Sequence, residues 1–406
     1  MKPHNDLLTR RVEKILPSRE GLEKSIFQRK IRLYQGFDPT GTKLHLGHSI
    51  GLRKLMEFAD AGHEVIFLFG TGTVLVGDPS QRDSARKLIT QQEIDENIND
   101  WKRQAEKIVD FEKISVKQNG DWLLPLTLKD IVNIASNISA VQLFKREMFQ
   151  RRIARGDTIW YHETMYPLLQ GYDSVAMDVD LEIGGTDQEF NMLVGRELMK
   201  KMKGKEKYVL TTPMIFGTDG KQMSKTSGNC IWLTDTAEDM FGKLMSIPDE
   251  QIVPYMELVT DIPLTRIGQV KSEIAVGKLH PMDAKKELGI EVVSRFHGKN
   301  QAEIAKINFE KTIQQGEAPK DIPNFSLSTL TSGATIVDLL VQSGSVTSKG
   351  EARRLIDQKA VSINQSPIIN YSGRAGSRSA GQFSISELKS GDIIKIGKRK
   401  WLKLVQ

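Results

Sequence analysis

Cysteine is almost absent from this sequence. One cysteine, Cys230, occurs among 406 residues, so a disulfide framework and a cysteine-based zinc site are both excluded. Long hydrophobic runs are absent too: no apolar stretch approaches the roughly 20 residues that span a bilayer. The first residues carry scattered charges and lack the apolar block of a secretory signal. We therefore expect a cytoplasmic protein that does not associate with membranes.

An excess of one charge is missing from most of the chain but present at its end. Residues 334–406 contain 12 basic and 5 acidic residues, whereas the preceding residues contain 45 basic and 46 acidic ones. The net charge of +6 therefore comes entirely from the last segment. A basic appendage on a near-neutral body is typical of polyanion binding. A solvated surface that favours solubility is the alternative.

The hydrophobic pattern predicts more than one domain. Residues 30–37 and 64–72 are typical of short strands, and residues 49–63 between them have apolar positions at helical spacing. A strand, a helix and a strand in this order form a βαβ unit, which implies a parallel sheet. A second strand at 175–185 precedes another helical stretch. We predict an α/β, Rossmann-like catalytic domain with a doubly wound parallel sheet (1–232), a helical domain (233–320), a linker (321–333) and an α+β domain (334–406).

Two histidines stand at the predicted start of the first βαβ helix. His45 and His48 are three positions apart in the sequence and would face the same way, beside the exposed N–H groups of the helix. Such a group of donors favours an anion. Gly47 between them removes a side chain where a ligand would approach the backbone. A metal site is disfavoured because no third ligand occurs at a useful spacing; a purely structural histidine pair stays open.

A polar loop at 219–229 contains two lysines, Lys221 and Lys225, among small residues. This composition is typical of a mobile lid that closes over phosphate. Lysine carries a compact charge on a long flexible stem, which suits it to following a phosphate through a reaction. An ordinary solvated loop is the alternative.

Taken together, HLGH and the later MSK resemble the two signatures of class I aminoacyl-tRNA synthetases. Two residues depart from the pattern: Gln222 stands where the second signature has its first lysine, and Glu182 where many relatives have glutamine. The tail resembles the S4 RNA-binding domain of bacterial members, so the resemblance covers essentially the whole chain. Five segments resemble the active-site segments of the tyrosyl-tRNA synthetase family in order and spacing: YQGFDPT (34–40), LHLGH (44–48), VGDPS (76–80), YPLLQGYDS (166–174) and GGTDQEFN (184–191).

The resemblance implies a reaction and a set of small-molecule contacts. Tyrosine is activated with ATP, pyrophosphate leaves, and tyrosine passes to the 3′-terminal ribose of tRNA(Tyr) without a covalent enzyme intermediate. Mg²⁺ is expected with ATP, held by phosphate oxygens and water rather than by a metal site of the protein. The implied catalytic residues, acting at the phosphates, are Thr40, His45, His48 and Lys225. The implied ATP contacts are Gly36, Asp38, His45, Gly47, His48, Gly184, Gly185, Asp187, Met223, Ser224 and Lys225.

The resemblance also implies contacts with tyrosine, tRNA and a second subunit. Tyr34 and Asp173 would meet the phenol, and Gln188 the carboxylate. The ammonium would be bound by Asp78, Tyr166 and Gln170. The expected assembly is a homodimer, and the implied RNA contacts are Lys349, Arg353, Arg354, Lys398, Arg399 and Lys400.

Residue spacing adds one expectation of its own. Tyr166, Gln170 and Asp173 would lie on one face of a helix over 166–174.

Two other functions stay open. One is a class I synthetase for another aromatic amino acid, which Tyr34 and Asp173 oppose because an apolar ring would leave both unpaired. The other is a non-catalytic RNA-binding protein on the same scaffold, which the retained histidines and Lys225 oppose.

Overall fold

The computed structural model describes residues 6–78, 89–223, 228–314, 322–330, 334–364, 366–368, 388–397 and 400–406. The chain forms two compact units, Met1–Ala302 and Glu303–Gln406. The helices of the described ranges lack the combination of length and hydrophobicity that a membrane-spanning segment needs.

A six-stranded sheet organises the first unit. In spatial order its strands are β1-β6-β5-β2-β3-β4, and all neighbours are parallel except the antiparallel pair at the β1 edge. The predicted α/β class with a parallel sheet is confirmed. The strands are β1 (Lys14–Leu16), β2 (Arg32–Phe37), β3 (Glu64–Phe69), β4 (Ser115–Gln118), β5 (Leu181–Gly185) and β6 (Tyr208–Thr212).

Helices flank this sheet and continue after it. The strand predicted from residue 175 begins at Leu181, because the preceding helix extends to Met177 and ends at Asp178 in a left-handed conformation. The described helices are α1 (Arg19–Gln28), α2 (His48–Asp60), α3 (Thr73–Val76), α4 (Gln91–Ala105), α5 (Gly120–Leu123), α6 (Leu128–Ala135), α7 (Ala140–Phe144), α8 (Glu147–Arg155), α9 (Tyr166–Met177), α10 (Glu189–Lys203), α11 (Ala237–Leu244), α12 (Ile252–Val259), α13 (Leu264–Ala275), α14 (Pro281–His297) and α15 (Lys299–Phe309).

The helical region from α11 to α14 belongs to the same compact unit as the sheet. Two buried arginines help to join them. Arg10 donates hydrogen bonds to the carbonyl oxygens of Glu257, Thr260 and Ile262 at 2.7–2.9 Å. Arg11 donates to the Leu258 carbonyl at 2.7 Å. These guanidinium groups satisfy carbonyls of the last turn of α12 and of the residues that follow it. We call this arrangement the arginine clamp.

The second unit is built on a separate five-stranded sheet of order β7-β11-β10-β8-β9. Part of the predicted linker, Asn324–Ser326, is the strand β7: it pairs in parallel with β11, and Phe325 packs on the unit's core. The stretch around it is rich in proline, serine and threonine, which is typical of a linker. The elements are β7, α16 (Ile336–Gln342), α17 (Lys349–Asp357), β8 (Val361–Ile363), β9 (Ser366–Pro367), β10 (Ile393–Ile396) and β11 (Lys400–Val405).

An ion pair at the start of β5 anchors α1 to the sheet. The two oxygens of Asp180 accept hydrogen bonds from the Arg29 guanidinium at 2.7 and 2.9 Å, and Oδ2 also accepts from the Arg32 N–H at 2.9 Å. Burial raises the pKa of Asp180. The hydrogen bonds from Arg29, Arg32 and Lys205 outweigh burial and lower the pKa to about 2.

The Asp180 carboxylate should make stability depend on pH. Its pKa is lower in the folded chain than in the unfolded one, so the contribution is present above about pH 4 and disappears as the pH falls towards 2. We expect Asp180→Asn to lower the free energy of unfolding by about 2 kcal/mol at pH 7 and by about half of that near pH 3. Urea unfolding of both proteins at each pH measures this difference. The exposed neighbour Asp178 supplies the control, because Asp178→Asn should cost less than about 0.5 kcal/mol. An Asp180→Asn effect of equal size at both pH values would contradict the prediction.

Candidate functional site

A cleft of about 1150 Å³ opens at the carboxyl ends of the parallel strands. Ligands of open α/β sheets bind at this edge. The structure brings most of the predicted site residues into its lining: Tyr34, Gly36, Asp38, Thr40, His45, His48, Asp78, Tyr166, Gln170, Asp173, Gly184, Gly185, Asp187, Gln188 and Met223.

Three of the predicted tyrosine, ATP and catalytic residues are not found in this lining. Gly47 does not line the cleft; it packs against the His45 ring, and a Cβ added there would lie 3.0 Å from His45 Nδ1. Its lack of a side chain therefore makes room for the histidine. The other two, Ser224 and Lys225, lie outside the described residues, as do two of the predicted RNA contacts, Lys398 and Arg399.

Helix α9 carries one wall of the cleft, as its spacing predicted. Tyr166, Gln170 and Asp173 all line the cleft from this helix. The Tyr166 hydroxyl donates to Asp38 Oδ2 at 3.0 Å, and Asp38 Oδ1 accepts from the Thr73 hydroxyl at 2.7 Å. Burial and the adjacent Asp38 raise the pKa of Tyr166 well above its ordinary value, so the phenol keeps its proton.

Asp173 is a buried carboxylate held by two donors. Its oxygens accept from Asn119 Nδ2 at 3.0 Å and from Trp122 Nε1 at 2.9 Å. Burial raises the pKa of Asp173 well above its ordinary value, while the two hydrogen bonds act in the opposite direction. Sequence analysis missed both donors. Their signal was the polar NGDW segment that directly follows β4, at the same sheet edge.

Tyr34 lies opposite α9 on the central strand β2 and is completely buried. Its hydroxyl is 3.0 Å from the hydroxyl of Ser174, the residue after Asp173. Burial is the main cause that raises the pKa of Tyr34 well above its ordinary value. The nearby carboxylates of Glu182 and Asp173 raise this pKa further. Tyr34 therefore stays protonated and is available as a hydrogen-bond partner at the floor of the cleft.

A second polar group lies where β5 meets α10. The amide nitrogen of Gln188 donates to Asp78 Oδ2 at 2.7 Å, and its oxygen accepts from Asn191 at 2.9 Å. Asp187, the preceding residue, also lines the cleft. This part of the wall therefore offers carboxylate acceptors and one fixed amide.

The two histidine rings lie against each other at the start of α2. Their ring centroids are 3.9 Å apart and their planes are tilted by 50°. His48 Nδ1 lies 3.1 Å from the His45 backbone nitrogen and 3.3 Å from the His45 carbonyl oxygen, so it can accept from the first or donate to the second, according to the tautomer of the ring.

Helix α4 supports the loop that leads to the histidines. Asn97 donates to the Pro39 carbonyl at 2.8 Å, Trp101 to the Gly41 carbonyl, and Gln104 to the Thr42 carbonyl at 2.7 Å. These three residues occupy positions i, i+4 and i+7 of one helix face. Sequence analysis did not identify them, although this spacing on an amphipathic helix was visible. They fix the backbone on both sides of Thr40.

Comparison with protein families gives two matches that cover the two units. Residues 26–314 match the family of class I tRNA synthetases for tryptophan and tyrosine. Residues 312–402 match the C-terminal domain of tyrosine–tRNA ligases. Two curated relatives named tyrosine–tRNA ligase illustrate the similarity. That of Carboxydothermus hydrogenoformans is 38% identical, over 100% of this chain and 98% of the relative. That of Thermotoga maritima is 39% identical, over 98% and 96%.

Solved structures with a similar fold include two tyrosyl-tRNA synthetases. A C-terminally truncated mitochondrial protein of Aspergillus nidulans has a TM-score of 0.65 at 22% identity, covering 77% of this chain and 94% of its own. A protein of Archaeoglobus fulgidus, solved with L-tyrosine, has a TM-score of 0.60 at 21% identity, covering 74% and 98%. At these identities the similarity is one of fold.

Proposed function

The chain belongs to the tyrosine–tRNA ligase family of class I tRNA synthetases, and from this membership we propose how its cleft and its C-terminal unit divide the reaction. The enzyme activates L-tyrosine with ATP and joins it to tRNA. The observation that carries the assignment of residues is the convergence of Tyr34 and Asp173 in one buried cleft.

The tyrosine substrate would lie along α9. Its phenol meets Tyr34 and Asp173, and its ammonium meets Asp78, Tyr166 and Gln170. The Gln170 side chain supports this placement, because its oxygen is buried and has no hydrogen-bond partner in the described part of the chain. A buried acceptor without a donor costs about 1–3 kcal/mol, which an ammonium group would relieve. Gln188 would orient the carboxylate.

ATP would occupy the part of the cleft nearest α2. Thr40, His45 and His48 act at its phosphates, and Lys225 closes over them from the loop after Met223. Lys221 does not line the cleft. We therefore assign to Lys225 the positive charge of the loop that closes over the phosphates. These groups position the reactants and stabilise charge that develops on oxygen. The remaining nucleotide contacts are Gly36, Asp38, Gly184, Gly185, Asp187, Met223 and Ser224.

Mg²⁺ would arrive with ATP and take its ligands chiefly from phosphate oxygens and water. The described residues contain no group of three His, Cys, Asp or Glu side chains arranged to hold a metal. When it is bound with the nucleotide, the cation would neutralise phosphate charge.

The phenol assignment predicts a loss of substrate selectivity. Tyr34→Phe removes one neutral hydrogen bond, so the preference for tyrosine over phenylalanine should fall about tenfold with little loss of activity. Asp173→Asn replaces a carboxyl group that accepts from Asn119 and Trp122 by an amide that also donates, and should lower kcat/KM for tyrosine about 100-fold. ATP–pyrophosphate exchange with each of the twenty amino acids measures both effects and also distinguishes the tyrosine enzyme from the alternatives.

Tyr172→Phe serves as the control, since Tyr172 is on the same helix but packs in the hydrophobic core rather than in the cleft. It should leave the selectivity unchanged. The assignment is wrong if Tyr34→Phe retains full selectivity and Asp173→Asn retains full activity.

We propose that the C-terminal unit, with an S4-like domain at 334–406, binds tRNA(Tyr). Lys349, Arg353 and Arg354 are exposed on α17, and Lys400 is exposed at the start of β11. Lys398 and Arg399 complete the proposed set. We retain 1–232 as the catalytic domain, 233–320 as the helical domain and 321–333 as the connection that contributes β7.

The tRNA contacts predict a specific salt dependence. Each phosphate contact that is lost should lower the slope of log affinity against log salt concentration by about one. We therefore expect Arg353→Gln combined with Arg354→Gln to lower this slope by about two, as measured by tRNA binding over a range of salt concentrations. The matched control removes two exposed lysines of the first unit, Lys271→Gln and Lys278→Gln. An unchanged slope in the arginine variant would exclude α17 from the interface.

We propose a homodimer that forms through the segment from α5 to the residues after α8. Eight of the sixteen exposed large hydrophobic side chains of the described residues fall between 124 and 161. Leu128 and Val132 are 79% and 58% exposed, one turn apart on α6. Such a concentration of apolar surface is typical of an interface. We place the enzyme in the cytoplasm, where its tRNA is charged.

A charge placed on this surface should separate the subunits. We expect Val132→Glu to reduce the mass measured by light scattering from twice the chain mass to 45.6 kDa. Val276 is 77% exposed elsewhere in the first unit, so Val276→Glu should leave the dimer intact. A wild-type protein that is monomeric, or a Val132→Glu variant that stays dimeric, would contradict the proposed interface.

A further inference from the structure

Behind the phenol end of the cleft lies a buried cation that the proposed reaction does not use. Lys207 precedes β6 and is completely buried. Its ammonium group has three acceptors: a Glu182 carboxylate oxygen, Ser174 Oγ at 2.7 Å and the Met192 carbonyl at 3.2 Å. Gly195 leaves room for this group, because a Cβ added there would lie 2.5 Å from Lys207 Nζ.

The three acceptors indicate the protonated form. Burial lowers the pKa of Lys207 below its ordinary value, and the adjacent Glu182 offsets only part of this effect. A neutral amine has only two N–H groups, whereas the ammonium has three and can serve all three acceptors. An ammonium has no lone pair, so it can donate hydrogen bonds but cannot accept one.

This restriction decides the direction of the next hydrogen bond. Ser174 Oγ accepts from Lys207 and must send its own proton elsewhere. The Tyr34 oxygen is 3.0 Å away, whereas Glu182 Oε2 is 3.4 Å away, at the long limit of a hydrogen bond. The shorter contact therefore receives the Ser174 proton. With its oxygen accepting from Ser174, Tyr34 has its own O–H to donate, either to the neighbouring Glu182 or to a ligand in the cleft.

We propose that Lys207 is a positioning residue that sets substrate specificity by fixing the hydrogen-bond direction from Ser174 to Tyr34. The proposal rests on the proposed function and deepens it. Tyr34 then offers a donor at the phenol end of the cleft, and Asp173, which already accepts from Asn119 and Trp122, offers an acceptor. A phenol hydroxyl accepts one hydrogen bond and donates one, so it matches this pair. An aromatic amine, with two N–H donors, matches it poorly.

The test replaces Lys207 by a side chain that can also accept. In Lys207→Gln the amide oxygen can take the Ser174 proton, so Tyr34 donates to Ser174 and the cleft presents two acceptors. We expect the kcat/KM ratio of tyrosine to 4-aminophenylalanine in ATP–pyrophosphate exchange to fall about tenfold, the effect of one hydrogen bond. A purely structural Lys207 would lower kcat/KM for both substrates equally. An unchanged ratio would therefore overturn the proposal.

The chain contains a matched control. Lys54 is also completely buried, donates to the Leu7 carbonyl at 2.8 Å and pairs with Glu57. Lys54→Gln should lower the melting temperature but leave the substrate ratio unchanged. A shift of the ratio in this variant equal to that in Lys207→Gln would overturn the proposal, because loss of stability alone would then explain the effect.

Lys207→Gln leaves the Glu182 carboxylate buried without its cation, so this variant could fail to fold. A second variant tests the proposal in that case. Lys207→Gln combined with Glu182→Gln removes both charges and should give the same fall in the ratio. A wild-type protein without tyrosine-dependent exchange would count against the proposed function itself. Normal exchange by the wild type with an unchanged ratio in the double variant would overturn only the role of Lys207.

Discussion

The parallel pairing of β2 with β5 is the constraint on which the site depends. It joins two βα segments that are about 150 residues apart in sequence and places Tyr34 directly beside Glu182. Because parallel strands end at the same edge, the loop after β2 and the loop after β5 open into one cleft. The histidines, Asp187 and the α9 face meet there as a consequence of strand order. A different neighbour for β2 would separate the two halves of the site.

Burying the charged and polar groups beneath this cleft costs free energy. Replacing a buried ion pair by apolar residues of similar volume is often neutral or even stabilising, so stability alone is weak grounds for Lys207 and Glu182 to be charged. The structure surrounds the pair with compensating contacts: Gln170 donates to Glu182 Oε1 at 3.1 Å, and Ser174 and Met192 accept from Lys207. A pair held by this many contacts is rigid. Rigidity of this kind is valuable under a pocket that distinguishes substrates by a single hydroxyl group.

Local sequence patterns predicted the elements that carry the site but not the contacts between them. The strands β2 and β3, helix α2 and the face of α9 follow from apolar periodicity and residue spacing. The partners of Asp173 and Glu182 do not, because they depend on which strands become neighbours and in which register. Lys207 is 25 residues from Glu182 in the sequence, and the residues around it form no pattern that predicts a buried lysine.

Short or weakly patterned segments limited the prediction in a different way. The strand β7 has three residues within a stretch rich in turn-forming residues, so only its pairing with β11 reveals it. The beginning of β5 was placed too early because VAMDV is apolar enough for either a helix or a strand. Roles at the phosphates came from family resemblance, since nothing in the composition of a lysine-containing loop separates a lid from solvated surface.

The arginine clamp has a consequence for synthesis on the ribosome. Arg10 is translated about 250 residues before the carbonyl groups that it binds. At roughly 5–20 residues per second, those partners follow tens of seconds later. During this interval two guanidinium groups destined for burial stay in water. Arg10 and Arg11 therefore reach their final positions only after the helical region has been made, so assembly of the unit cannot follow the order of the sequence strictly.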